Sequence, residues 1–134
     1  MTSTERIAQA LYVSRMAPDC DSTVVKDIVA VARRHNPAHG ITGALMFDGE
    51  RFSQLIEGPA EAIHELMQRI TQDPRHTDLR VLFNGFATAG RLASRWRCGY
   101  CEPASFDVFD AVHGSHGAAA LDAFNRLLPL ADLD

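Results

Sequence analysis

Residues 35–58 read His-Asn-Pro-Ala-His-Gly-Ile-Thr-Gly-Ala-Leu-Met-Phe-Asp-Gly-Glu-Arg-Phe-Ser-Gln-Leu-Ile-Glu-Gly, and their punctuation decides the fold. Asn36-Pro37 predicts the stop of a helix, because proline biases the residue before it toward extended geometry. Gly40 supplies a corner. Ile41 to Phe47 is short, apolar and partly β-branched, the pattern of a strand. Asp48-Gly49 is the strongest hairpin signal in the chain and predicts a tight turn. Arg51 to Glu57 then returns as the partner strand, closed by Gly58-Pro59. Strand alternation puts Phe52, Gln54 and Ile56 on one face. If that face is buried, Gln54 takes an amide with two donors and two acceptor lone pairs inside, at a cost of about 1–3 kcal/mol if unpaired. Spacing alone favours a neighbouring backbone group or the sheet rim as its partner. The sharper alternative is a polar heterocycle that both donates and accepts.

Upstream of this hairpin, Arg6 to Ser14 reads as a central strand with Tyr12 in its middle, after a polar, frayed Met1 to Glu5. Most tyrosines so placed are core residues with one hydrogen bond. Asp21 or Ser22 caps a helix running to about His35, with Val24, Val25, Ile28, Val29, Val31 and Ala32 on its apolar face. Downstream, Pro59 opens a second helix, striped by Ala62, Ile63, Leu66, Met67 and Ile70, which ends near Gln72. Asp73-Pro74-Arg75-His76 is a polar corner, either solvated or facing a ligand. Leu79 to Phe86 is a fourth strand, Ala93 to Cys101 a fifth, and Pro103 to Asp110 a short helix. Residues 113–117 form a break before an amphipathic helix from Ala118 to Leu130, with Leu121, Phe124, Leu127 and Leu128 on one side.

The element order β-α-β-β-α-β is the split βαβ pattern. It predicts an α+β, ferredoxin-like antiparallel sheet with two helices on one face and the first and third strands central. A fifth strand and C-terminal helices follow. Residues 1–102 would form the domain, and 103–134 a helical extension packed on it or on a second subunit.

The 134 residues are the length of one domain, and 46% hydrophobic with 22% charged residues is ordinary for a globular chain. A net charge of −4 argues against a nucleic-acid surface, which needs clustered Lys and Arg. Three cysteines, Cys20, Cys98 and Cys101, do not make a disulfide framework. Cys98 and Cys101 have zinc half-site spacing, and His113 and His116 could complete four ligands on paper. Strand alternation puts the two cysteines on opposite faces, so no metal site is expected. With no leader and no apolar run of the ~18 residues a span requires, a cytoplasmic protein without membrane contact is expected.

A search for catalysis returns little. Ser14, Ser53 and Thr42 have no evident histidine beside them, His35 and His39 flank a loop rather than share a helix face, and Glu57 and Asp73 are single carboxylates. What remains is polar residues on core positions: Tyr12, Asn36, Gln54 and Trp96. If they converge, they suit a planar heterocycle with imide edges. They also suit proton-coupled electron transfer, since a phenol can release an electron and a proton together.

Leu11-Tyr12-Val13-Ser14, residues 35–45, Phe52-Ser53-Gln54-Leu55-Ile56-Glu57-Gly58 and Asp73-Pro74-Arg75-His76 together resemble the BLUF family, blue-light sensors that use FAD. The resemblance covers roughly residues 8–101. It implies a flavin ring between the two helices, with FAD as occupant and FMN or riboflavin as alternatives. It implies that Tyr12 is the light-driven electron donor and that Gln54 relays between it and the flavin by changing its hydrogen bonding or tautomer. Asn36 would hold the flavin's polar edge, with His35 beside the ring and Asp73, Arg75 and His76 near the cofactor. Trp96 and Cys98 would carry the signal outward. Here the chain departs from the family, with Ala93 at an aromatic position and Cys98 at a methionine position.

The reading is therefore a non-enzymatic flavin photosensor, signalling to an unidentified downstream protein or through a homo-oligomer, since the chain has no room for an attached output domain. Two alternatives remain. One is a ferredoxin-like interaction module that no longer binds flavin, and the other is a small enzyme on the same fold.

Overall fold

The computed structural model describes residues 6–100, 106–130 and 132–133. The expectations for Met1 to Glu5, Cys101 and Pro103 lie outside those residues. β1 (Ile7–Met16) is apolar with small polar interruptions, and residues 8–14 are all buried, as expected of a strand covered on both faces. α1 (Thr23–Ala38), β2 (Thr42–Phe47), β3 (Arg51–Pro59), α2 (Ala60–Gln72) and β4 (His76–Phe86) follow. Next come β5 (Trp96–Tyr100), α3 (Phe106–His113), α4 (Gly117–Leu127), a 3-10 turn at Leu128–Leu130 and a two-residue β6 (Asp132–Leu133).

The sheet order is β4-β1-β3-β2-β5-β6, with β1 and β3 central as expected. β1 pairs antiparallel with β3 and with β4, and β3 antiparallel with β2. This is the ferredoxin-like α+β arrangement. β5 joins parallel to β2, with Trp96 opposite Gly43. The chain leaves β4 at one edge and crosses behind the sheet to reach the far side, and that crossing fixes the parallel direction.

Both α1 and α2 lie on one face, called here the front. α2 packs Ile63, Leu66 and Ile70 on Ala8, Ala10, Ile41 and Ile56. α1 packs Val25, Ile28, Val29 and Ala32 on Leu45, Phe47, Phe52 and Trp96. On the rear face Leu11, Val13, Ala44, Met46, Leu55 and Leu82 meet Val112 of α3 and Ala120, Ala123, Phe124 and Leu127 of α4. The C-terminal stripe read from the sequence is thus packed on the sheet, Leu121 and Leu128 at its margin.

Three local expectations change. The first helix does not stop at Asn36-Pro37 but runs through both to Ala38. A proline in the last turn forfeits one intrahelical bond, and a Schellman closure offsets it. Ile41 N–H donates to Asn36 O at 2.9 Å and Gly40 N–H to Pro37 O at 3.2 Å, with Gly40 at φ +70°. His35 and His39 consequently do share a helix face, their rings stacked at 4.0 Å. The hairpin turn is shifted one residue along from Asp48-Gly49: Phe47 stands opposite Phe52 and Asp48 N–H donates to Arg51 O at 3.2 Å, so Gly49 and Glu50 are its central pair. The Asp48 carboxylate organises it by accepting from Glu50 N–H at 3.0 Å and Arg51 N–H at 2.6 Å. The fourth strand begins at His76, not Leu79, so the polar corner feeds directly into the sheet. Between β3 and β5, Gly43 sits at φ +142°, where a Cβ would lie 1.9 Å from Leu55 O, so only glycine fits there.

Candidate functional site

Between α1 and α2 the front face opens into a cleft of ≈ 210 Å³. Its floor is Tyr12, Leu45, Phe52 and Gln54 from the sheet. Ile28, Val31 and Ala32 of α1 form one wall and Leu66, Arg69 and Ile70 of α2 the other. His35, Asn36, Asp73, Arg75 and His76 sit around the rim. Long apolar walls with a few polar groups at the ends are the usual composition of a small-molecule site.

The floor follows from strand register. Tyr12 on β1 stands opposite Gln54 on β3, and alternation turns both side chains forward. Gln54 Nε2–H donates to Tyr12 OH at 2.6 Å, and Trp96 Nε1–H donates to Gln54 Oε1 at 3.1 Å. Neither partner is a backbone group or at the sheet rim, so the simpler expectation for Gln54 does not hold. The chain of bonds also fixes the amide's orientation. An indole N–H can only donate, so the oxygen of Gln54 must face Trp96 and its nitrogen must face Tyr12. All three residues are buried. Burial pushes the Tyr12 phenol well above its ordinary pKa, against the opposing pull of the Gln54 bond, with a small further push from Asp73. The phenol therefore stays protonated.

The rim is held by pairs. His35 Nε2 accepts from Arg69, so Nδ1–H donates to Asn36 Oδ1 at 3.1 Å, leaving the Asn36 Nδ2 group to face elsewhere. Asn36 is buried although it lies in the last turn of α1. Arg75 grips Asp73 through Nε at 2.9 and 3.1 Å and Nη2 at 2.7 Å. The Arg75 guanidinium holds the Asp73 carboxyl below the usual range, against the opposing effect of partial burial. His76 Nε2–H donates to Ile70 O at 2.6 Å, and its Nδ1 accepts from the Ser14 hydroxyl at 2.8 Å. Its ring stands edge-on to Tyr12, centroids 6.1 Å apart.

The structure thus gathers Tyr12, Gln54, Asn36, His35, Asp73, Arg75 and His76 around one cleft. Trp96 touches it through Gln54. Cys98 does not line it. Cys98 is half-buried beside the Trp96 cluster, and Arg33 Nη2 lies 3.1 Å from its sulfur. Ser14 does have a histidine beside it, contrary to expectation. Ser14 is buried and the outer nitrogen of His76 is taken by Ile70 O, so the pair ties the corner to β1 and cannot take a substrate's proton. Arg69 also lines the cleft and meets His35; its spacing from Leu66 and Ile70 near the apolar stripe is the only local signal for it. Glu57 accepts from Gln9 Nε2 at 2.7 Å and from the Leu92 and Ala93 amides; none of these is an acid or a base, so it remains a single carboxylate, as expected. Among the described residues no cluster of three metal-ligating side chains occurs, and no helix is long and apolar enough to cross a membrane.

Residues 7–99 match the family model of BLUF, sensors of blue-light using FAD. Over 82 residues the chain is 36% identical to the blue light- and temperature-regulated antirepressor BluF of Escherichia coli (strain K12), covering 61% of this chain and 20% of that protein. Over 97 residues it is 33% identical to photoactivated adenylate cyclase subunit alpha of Euglena gracilis, covering 71% of this chain and 9% of that protein. The chain therefore spans a fifth or less of the length of these relatives. The dark-state structure of BlrB, a BLUF protein, superposes with a TM-score of 0.78 at 26% identity, covering 94% of this chain and 97% of the other. The photo-activated state of BlsA superposes with a TM-score of 0.79 over 96% of this chain and 98% of the other, and at 21% identity it bears on the fold alone.

Proposed function

Because the chain belongs to the BLUF family of flavin-binding blue-light photoreceptors, we propose that the cleft between α1 and α2 holds the isoalloxazine ring of FAD, with FMN or riboflavin as alternative occupants. The observation that carries this is the Tyr12–Gln54–Trp96 chain of hydrogen bonds at the floor of an apolar-walled slot. The slot suits a flat ring with polar edges. The amides of Asn36 and Gln54 can each donate and accept, which matches an imide edge. At ≈ 210 Å³ it lies below the ~300 Å³ at which drug-sized pockets begin, so a dinucleotide would place only its ring system inside.

A bound flavin supplies blue-light absorption and an electron-accepting excited state. The chain's own residues do the rest. Tyr12 holds a protonated phenol whose oxygen already accepts from Gln54, leaving its own hydrogen for donation. Removal of an electron makes a phenol proton strongly acidic, so electron and proton leave Tyr12 together. Gln54 is the contact that registers the change. If its amide turns, its NH2 group faces the indole N–H; two donors cannot share a bond, so Trp96 must shift. If it tautomerises in place, the new hydroxyl can still accept from the indole while donating elsewhere, and the bond to Trp96 is weakened rather than lost. Cys98, on the same strand, moves with Trp96 when it shifts. Asn36, His35 and Arg69 hold the ring's outer edge, and Asp73, Arg75 and His76 keep the corner closed.

We read the chain as a cytoplasmic sensor with no enzymatic step of its own, acting through a downstream protein or its own assembly. The test is the absorption spectrum of purified protein in the dark and just after blue light. A flavin spectrum that shifts slightly to the red and recovers in darkness is expected. Tyr12→Phe should keep the flavin and lose the normal response. Folded protein that takes up no flavin when FAD is added would overturn the reading and favour an interaction module.

A further inference from the structure

Glu57 and Gln54 stand three residues apart on β3, and their side chains leave opposite faces of the sheet. On the rear face the Glu57 side chain is 0% exposed. A buried carboxylate is costly unless hydrogen bonds replace its water, and here they do. Oε2 accepts from Gln9 Nε2 at 2.7 Å and from Leu92 N–H at 2.8 Å, while Oε1 accepts from Ala93 N–H at 2.9 Å. The backbone carbonyl of the same residue accepts from Arg91 Nη1 at 3.0 Å, and that nitrogen also reaches Thr42 Oγ1 at 2.9 Å. A surface segment, its Leu92 side chain exposed, is thereby pinned by charge-assisted bonds.

Only Ser94 and Arg95 separate this pinned backbone from Trp96. Three chain steps reach at most about 10 Å, so where Ala93 sits limits where the indole can sit. Trp96 then enters the front face and donates to Gln54 at 3.1 Å. One strand, β3, grips the incoming β5 segment twice, from behind through Glu57 and in front through Gln54.

We propose that Glu57 is a positioning residue for the light response: by binding the amides of Leu92 and Ala93, just ahead of the point where Arg95 O accepts from Gly43 N–H at 3.2 Å, it fixes the segment that delivers Trp96 to Gln54. This rests on the sensor reading above. It also accounts for the tolerance of Ala93 where the resembling family has an aromatic residue, because the Glu57 bond is to the backbone amide and not to a side chain. When Gln54 releases the indole, the rear bonds keep the segment in place, so the displacement is local and can return.

Trp96 is the only tryptophan in the chain, so its fluorescence reports its own placement. The experiment is acrylamide quenching of Trp96 in dark protein, flavin-loaded and flavin-free, together with the rate of dark recovery. The variants are Glu57→Ala, Glu57→Gln and Arg91→Ala. Deleting the carboxylate frees the Leu92 and Ala93 amides, so Glu57→Ala should raise the quenching of Trp96 above that of the wild type and change the recovery rate, while the size of the red shift stays. Arg91→Ala, at an exposed residue, should move both readouts the same way by less. Glu57→Gln should restore most of the protection, since one amide oxygen can accept from both backbone amides and Gln9 can turn to match the new nitrogen. Quenching and recovery unchanged in folded Arg91→Ala, or a Glu57→Gln no better protected than Glu57→Ala, would overturn the proposal. If Glu57→Ala does not fold, Arg91→Ala decides. A wild-type protein without any light shift would sink the sensor reading while the quenching series still judged Glu57.

Discussion

The two faces of the sheet are closed in opposite ways. Behind it, Val112 of α3 and the apolar stripe of α4 pack directly on the sheet. Phe124, Leu127, Ala120 and Val112 are fully buried against Leu11, Met46 and Leu55. In front, α1 and α2 pack on the sheet through separate clusters and leave a cleft between them. The polar core residues divide by role as well. Tyr12 and Gln54 face the cleft in a short chain ending on a donor-only indole. Glu57 and Gln9 face the rear and hold backbone. The rear therefore carries stability and the front carries adjustable hydrogen bonds. A site that must rearrange sits where packing does not decide the arrangement.

That contrast can be broken most forcefully from behind. Phe124→Ala should lower unfolding stability by about 3–5 kcal/mol, the usual cost of deleting a buried aromatic ring. Chemical denaturation would measure it. Wherever the variant remains folded, its light-induced spectral shift should be that of the wild type. A lost shift in folded protein would mean that the rear packing shapes the cleft. From the front, Gln54→Leu should cost less, about 1–3 kcal/mol, because it leaves the Trp96 N–H buried without its acceptor. Yet it should remove the red shift altogether while flavin remains bound. An unchanged shift would refute the role given to Gln54.

How much of this was readable beforehand depends on distance along the chain. Element order and the shared face of Phe52, Gln54 and Ile56 follow from local periodicity. The cleft residues were found largely through resemblance, since periodicity alone could not show that Tyr12 and Gln54 meet. Pro37 points to an earlier end for α1 than the structure has, because the closure through Gly40 and Ile41 comes after it in the chain. The parallel placement of β5 depends on a crossing whose path no local signal records. Ser14–His76 and Gln9–Glu57 are separated by 62 and 48 positions. Gln9 went unread: strand alternation from Leu11 and Val13 places it on their face, but nothing local points to Glu57 as its partner.

The smallest effect separates the two faces by pH. His113, at the end of α3, is half-buried. Burial lowers its pKa from 6.5 to about 4, helped by Arg51, Arg80 and Arg15 and opposed by Asp48. Between those two values the unfolded chain binds a proton that the folded chain does not, so stability must fall as pH drops from 6.5 towards 4. Partial exposure reduces the effect to roughly 1 kcal/mol. At the front, Asp73 behaves oppositely in range. Its carboxyl is held below the ordinary 3.8 by Arg75, so its contribution persists above that value and is lost only as pH falls through the lower folded pKa. The rear cap should therefore weaken first on acidification, and the front corner only below about pH 4. Denaturation midpoints from pH 7 to 4 would show the slope in the wild type, and His113→Gln should flatten it. A slope that survives in His113→Gln but disappears in Asp73→Asn would reverse the assignment of the two windows.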